Sequence, residues 1–178
     1  MKMLVGMAVM AVMIFLLHDA GLRINLTPSM PRGLYRLQPG DLGHGDLVSF
    51  CLDGAWANLA SDREYLRPGM CPSGLRPLLK TLVALPGDTI SVHPAHISVL
   101  TDFSGSCIWP VTTLAKDSKG RTLPGSALQS GEVPPGYGLV LSRHEGSFDS
   151  RHFGLIPLST MTRVEPVFMF DQGETHYE

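Results

Sequence analysis

Leu78-Leu-Lys-Thr-Leu-Val-Ala-Leu85, followed by Pro86-Gly-Asp-Thr-Ile90, is the stretch that decides the fold. Eight residues rich in β-branched and aliphatic side chains run into a Pro-Gly pair, as in a buried strand stopped by a tight turn. Lys80 is the anomaly, because it is the single charge in that run. A lone lysine in a strand ordinarily faces outward, lays its stem on apolar surface and keeps its amine in water. The other reading is a lysine buried at a site and kept neutral. Burial lowers a lysine pKa because the charged form loses its solvation. A move from about 10.4 to about 7.5 costs roughly 4 kcal/mol, so the surrounding structure must hold such an amine in place.

Outward from this strand the same pattern repeats. The 19 Gly and 14 Pro are spread in short clusters among the 178 residues, which predicts many short strands joined by turns. Upstream, Gly33–Leu37 and Asp46–Phe50 read as strands around the turn-rich Pro39-Gly40 and Gly43-His-Gly45. Downstream come short strands over Ile97–Leu100, Cys107–Val111 and Gly136–Leu141, with final strand material at Ile156–Leu158 and Met161–Phe170. One helix is expected, over Ala55–Leu66, with Trp56, Leu59, Ala60 and Arg63 on one face and a stop at Arg67-Pro68-Gly69. The fold class is therefore mainly β, with residues 52–76 and 93–135 as excursions from one domain over 23–170, and a polar tail over 171–178.

The N-terminal Met3–Leu17 is free of charge, and Lys2 precedes it. Extended to Leu22, the run is about 30 Å long as a helix, enough to cross a bilayer core. A cleaved secretory signal is the competing reading, but His18-Asp19-Ala20 makes a poor small-x-small cleavage site. A retained transmembrane anchor over 1–22 is expected, with the N-terminus inside and the body translocated. Net charge is −2 and no Lys/Arg run exceeds two residues, so the chain lacks a nucleic-acid-binding surface. The three cysteines, Cys51, Cys71 and Cys107, form no metal pattern, and no metal or other cofactor is implied. In an oxidising compartment one disulfide and one spare thiol is the natural arithmetic. Cys51–Cys71 is the pair that closes one polar excursion between two strands; three reduced, buried thiols is the alternative.

Asn25-Leu-Thr-Pro-Ser-Met-Pro-Arg-Gly-Leu-Tyr35 presents Ser29 between Pro28 and Met30-Pro31, just beyond the apolar segment. By itself Pro-Ser-x-Pro is an extended linker. With the rest of the chain it becomes one of four ordered blocks. The others are Gly45-Asp46-Leu47-Val48-Ser49-Phe50; Lys80 with Leu85-Pro86-Gly87-Asp88-Thr89-Ile90; and Ser147-Phe-Asp149-Ser150-Arg151-His-Phe-Gly154 followed by Pro157.

Together these blocks resemble the type I signal peptidase family, membrane-anchored Ser/Lys endopeptidases with a β catalytic domain. Two departures stand out. Proline follows Ser29-Met30 directly as Pro31, and Leu141-Ser-Arg-His-Glu-Gly146 replaces the usual Gly-Asp-Asn-Arg-Asp-Asn. Both resemble the plasmid-conjugation, TraF-type branch, which matures pilin precursors. The resemblance implies that Ser29 is the nucleophile and Lys80 its neutral general base. It implies an oxyanion site made by the Ser29 backbone N–H and the Thr27 hydroxyl. Ser147 would orient the lysine, and Asp149 and Arg151 would form a buried bracing pair. Met30, Pro31 and His152 are candidate rim or substrate contacts. The partners implied are the membrane and an exported, pilin-like precursor, at the bacterial inner membrane with the catalytic domain on the periplasmic side. The branch adds a second fate for the acyl-enzyme, capture by the substrate's own amine to give a cyclic pilin; the residues do not choose between water and amine.

Three alternatives stay open at this point. One is a Ser-His-Asp triad through His152 and Asp149. Another is a housekeeping signal peptidase with broad substrates. The third is a catalytically inert anchored β-domain of a secretion or conjugation apparatus.

Overall fold

The computed structural model describes residue 6 and residues 21–101, 105–109 and 114–170. Eleven strands, two short α-helices and one 3-10 helix over Leu158–Thr160 are laid out along those residues. Seven strands form one sheet in the order β1-β2-β11-β3-β4-β9-β10: β1 is Leu22–Asn25, β2 Gly33–Gln38, β3 Leu47–Phe50, β4 Leu78–Ala84, β9 Tyr137–Leu141, β10 Ile156–Pro157 and β11 Met161–Met169. The other four form a second sheet in the order β7-β6-β5-β8: β5 is Thr89–Val92, β6 Ile97–Thr101, β7 Gly105–Trp109 and β8 Gly131–Glu132. All named pairs are antiparallel.

β4 is the hub. It pairs with β3 on one side and β9 on the other, and it feeds two cores because successive side chains alternate between faces. Leu78 and Leu82 join Val48, Phe50 and Val140 in the first core, while Val83 and Ala84 join Leu139, Leu141, Ile90 and Val99 in the second. A register shift between Leu82 and Ala84 opposite β9 turns both Val83 and Ala84 toward the second core. The strand ends where Pro86 presets φ and Gly87 supplies φ +93°. Asp88 locks this turn, its Oδ2 accepting from Leu85 N and meeting His44 Nε2, each at 2.6 Å. Gly45 N donates to Leu82 O and Leu82 N to Asp46 O, so the Gly45-Asp46 block prolongs the β3–β4 ladder.

The excursion at 52–76 belongs to the core. Leu52, Ala57, Ala60 and Leu75 are all buried in the first cluster. Helix α1 spans Gly54–Asp62, shorter than the expected Ala55–Leu66. It ends in a Schellman motif: Tyr65 N bonds Ala60 O, Glu64 N bonds Ser61 O, and Glu64 takes φ +59°. A glutamate in the place usually held by glycine gives no stop signal in the sequence, hence the overlong expectation. Cys51 and Cys71 form a disulfide, closing this excursion, and Cys107 is free and exposed.

Two further differences concern the ends of the domain. β1 was not anticipated, and Leu22, placed at the end of the expected anchor, is its first residue, paired with Arg36. The rest of the expected anchor and the polar tail lie outside the described residues, as do the last two positions of the expected Cys107–Val111 strand. Among the described residues no helix is long and apolar enough to cross a membrane. Replacing both Cys51 and Cys71 by alanine reopens a loop with a sequence separation of 20. Denaturant titration of the oxidised protein against the double variant should show a loss on the order of 3 kcal/mol.

Candidate active site

Lys80 sits at the middle of β4, opposite Val48 of β3, and only 2% of its surface is exposed. It shares parity with Leu78 and Leu82, so it enters the protein on the side of the first core. Its Nζ donates to Ser29 Oγ at 3.0 Å. Burial pulls its pKa down from 10.5 to about 8, with Arg151 pushing the same way and Asp149 opposing. The outward, snorkelling reading of this lysine is thereby excluded.

Ser29 lies in the turn between β1 and β2, and three side chains grip that turn. Asn25, the last residue of β1, donates from Nδ2 toward the carbonyls of Met30 at 2.9 Å, Pro31 at 3.0 Å and Thr27 at 3.1 Å. Its Oδ1 accepts from Thr27 N at 3.1 Å and from Thr27 Oγ1 at 2.7 Å. The buried Tyr35 donates its hydroxyl to Pro31 O at 2.6 Å. Ser142 Oγ donates to Ser29 O. Thr27 Oγ1 stands 3.4 Å from Ser29 Oγ.

A fully buried ion pair supports this arrangement from behind. Asp149, 0% exposed, and Arg151, 1% exposed, are joined by two bonds of 2.8 Å, Nε to Oδ1 and Nη2 to Oδ2. Such a fork holds both groups in one geometry. Asp149 also caps the short helix α2, Ser150–Phe153, accepting from Arg151 N. It accepts in addition from Ser142 N at 3.1 Å. Arg151 Nη2 reaches the carbonyl of His144 at 2.9 Å. The pair thus shapes the loop that carries Ser142, and through Ser142 the turn that carries Ser29.

The family model for signal peptidase, peptidase S26, matches residues 1–169. The chain belongs to the peptidase S26 family of signal peptidases. It is 37% identical over 160 residues to a conjugal transfer protein TraF of Agrobacterium fabrum, covering 85% of this chain and 84% of that protein. With a probable conjugal transfer protein TraF of Sinorhizobium fredii it shares 42% identity over 141 residues, 77% of this chain and 71% of the relative. A plasmid transfer protein TraF of Escherichia coli is 30% identical over 152 residues, 83% of each. Among solved structures, a signal peptidase I from Enterococcus faecalis covers 72% of this chain and 99% of its own, with 18% identity and a TM-score of 0.39.

The family read from four sequence blocks is therefore the one found, and the S26 fold brings Ser29, Lys80, Thr27, Asp149 and Arg151 into one bonded network. Two expectations are corrected by the geometry. Ser147 is buried, but its Oγ has no hydrogen-bond partner among the described residues, so it does not orient Lys80 here. His152 is not a rim residue: it is 5% exposed, its ring stacks on Phe148, and burial holds its pKa below the ordinary histidine range, with Asp149 raising and Arg151 lowering it. Its Nδ1 is unpartnered, so no Ser-His-Asp relay passes through it. Met30 is buried, and Met30 and Pro31 serve the site through their carbonyls.

Asn25, Tyr35 and Ser142 were not singled out from the sequence. Asn25 carried a readable signal, an Asn two residues before a Thr, which favours an Asx-type turn. Ser142 carried none, because its place depends on the β4–β9 register: Thr81 pairs with Leu141, which sets Ser142 beside Lys80.

Lys80 also sets a stability signature. Above about 10.5 the amine is neutral in both folded and unfolded chains; below about 8 it is charged in both. Between those values only the unfolded chain holds the proton, so this group adds stability as pH rises and withdraws it as pH falls. At pH 7 its burial costs about 3 kcal/mol. Lys80→Met should therefore unfold at higher denaturant than the parent at pH 7, with the gap closing by about pH 10.5, measured by paired urea titrations. Asp149→Ala, by contrast, strands a buried guanidinium and should cost about 3–5 kcal/mol, read as a lowered melting temperature.

Proposed function

We propose that this chain is a serine endopeptidase that uses a Ser29/Lys80 dyad to remove leader or terminal segments from exported precursor proteins during conjugation, with a pilin-like precursor as substrate. The observation that carries the reading is the 3.0 Å contact between Lys80 Nζ and Ser29 Oγ with the lysine buried and its pKa depressed. A serine hydroxyl attacks a carbonyl only when a base takes its proton. Neutral Lys80 is placed to do so; Ser29 Oγ then bonds the scissile carbon, and the Ser29 N–H and Thr27 hydroxyl face the oxyanion. As the tetrahedral intermediate collapses, the C–N bond breaks and Lys80 returns the proton to the leaving amine. Water, activated by the same amine, or an amine of the substrate then resolves the ester.

Conjugation enters through the relatives, which carry conjugal or plasmid transfer names. Placement at the inner membrane with the site on the periplasmic side is supported by two features. The Cys51–Cys71 disulfide suits an oxidising compartment. An exposed apolar edge made by Ile24, Leu26, Val167, Phe168 and Phe170 flanks the nucleophile turn, and Phe170 N bonds Arg32 O. Ile24, Leu34 and Phe168 are in register across β1, β2 and β11, so this edge is a continuous surface suited to a lipid interface.

The test is cleavage of a candidate pilin precursor by the full chain in membranes, followed by mass spectrometry. Ser29→Ala and Lys80→Ala should each abolish product while remaining folded. The wild type should show kcat/KM rising with pH through a single group near pH 8, the value set by burial of Lys80. Retained maturation in both variants points instead to an inert assembly domain. A product with a free N-terminus and a free carboxylate identifies water as the acceptor, whereas a mass lower by one water identifies cyclisation.

A further inference from the structure

The carboxamide of Asn25 has only one workable orientation. Turned over, its oxygen would face the carbonyls of Thr27, Met30 and Pro31, and its NH2 would face the Thr27 N–H; only the observed orientation pairs donors with acceptors. Oδ1 must therefore accept from Thr27, both N–H and Oγ1–H. A threonine hydroxyl has one proton. In this structure that proton is spent on Asn25, at 2.7 Å, so toward Ser29 Oγ, 3.4 Å away, Thr27 presents a lone pair.

We propose that Asn25 is the positioning residue of the nucleophile turn. One half of its amide sets the Thr27 hydroxyl, and the other half fixes the Met30 and Pro31 carbonyls that follow Ser29. This rests on the Ser29/Lys80 reading above. With Lys80 protonated, Nζ donates to Ser29 Oγ and the serine proton is held toward Thr27 Oγ1. With Lys80 neutral, the serine proton turns to Nζ, 3.0 Å away, without movement of the turn. When the oxyanion forms, Thr27 exchanges Asn25 Oδ1 for the new acceptor by rotating one hydroxyl. Asn25 thus acts through Thr27 and through the backbone of residues 30–31; it does not touch the reacting atoms. Ser29 is held from its other side by Ser142, which leaves the turn bridged between β1 and the Asp149 network.

The experiment is a double-mutant cycle on the full chain in membranes, with the candidate pilin precursor as substrate. Asn25→Ala should lower kcat about 100-fold with KM little changed, because it misplaces the reacting groups and removes no substrate contact. Thr27→Val should also lower kcat about 100-fold. The double variant should fall well short of a loss of about 10,000-fold, because the part of Asn25's effect that runs through Thr27 is already gone in Thr27→Val. Asn25→Asp keeps the shape and the acceptor oxygen but turns a second oxygen toward three carbonyls. It should lose kcat as well, and it covers the case in which the alanine variant does not fold. Wild-type kcat in a folded Asn25→Ala or Asn25→Asp protein, a change confined to KM, or full multiplicative loss in the double variant would overturn the inference. Ser29→Ala and Lys80→Ala run in parallel separate the two levels. If these retain activity, the dyad itself is wrong; if they are dead while Asn25 variants are unimpaired, only the role of Asn25 is.

Discussion

Everything in the site depends on keeping an amine dry. Burial holds the Lys80 pKa near 8, and burial of an amine opposes folding. The chain meets that cost by placing the lysine in a strand paired on both sides. β4 is flanked by β3 and β9, and its neighbours Leu82, Val48 and Val140 are 0% exposed. A site on a loop would let water reach the amine and restore its ordinary basicity. The same packing that makes the domain stable therefore brings the lysine's pKa down toward moderate pH.

The serine 3.0 Å from this amine is held in the opposite way. Ser29 lies on a turn, and turns are mobile unless tied. Here the ties are polar and converge from three elements: Asn25 from β1, Tyr35 from β2 and Ser142 from the loop after β9. The turn is also closed at its far end by Gly33, where a Cβ would meet Phe168 O at 2.4 Å; only glycine lets β11 approach so closely at its register shift. Rigid strand and tethered turn together present two groups 51 residues apart at bonding distance.

The loop 141–146, where the S26 motif departs from its usual form, has a physical role. It places Ser142 against both Asp149 and Ser29, joining the buried ion pair to the Ser29 backbone. The Asp149–Arg151 pair reaches Ser29 by this route and Lys80 through its field. Arg143 of the same loop lies over the Trp109 ring at 5.0 Å, so the second sheet is tied to the site by a neighbouring residue.

Much of this was legible in the amino-acid order, because it is written in local chemistry. Alternating apolar runs and Pro-Gly turns announce strands wherever they pack. A lysine amid seven uncharged residues, a serine between prolines and a Ser-x-Asp-x-Arg block carry their strangeness with them. What remained invisible depends on register or on residues acting against local preference. Ser142 matters because Thr81 pairs with Leu141. The helix α1 stops at a glutamate in a glycine's conformation. Ser147, in a position that promised contact with Lys80, leaves its Oγ without a hydrogen-bond partner among the described residues. Local sequence specifies which groups are available and which backbone shapes are easy. Which of them meet is decided by strand pairing over dozens of residues, since a shift of one position would turn Lys80 from the core to the other face of the sheet.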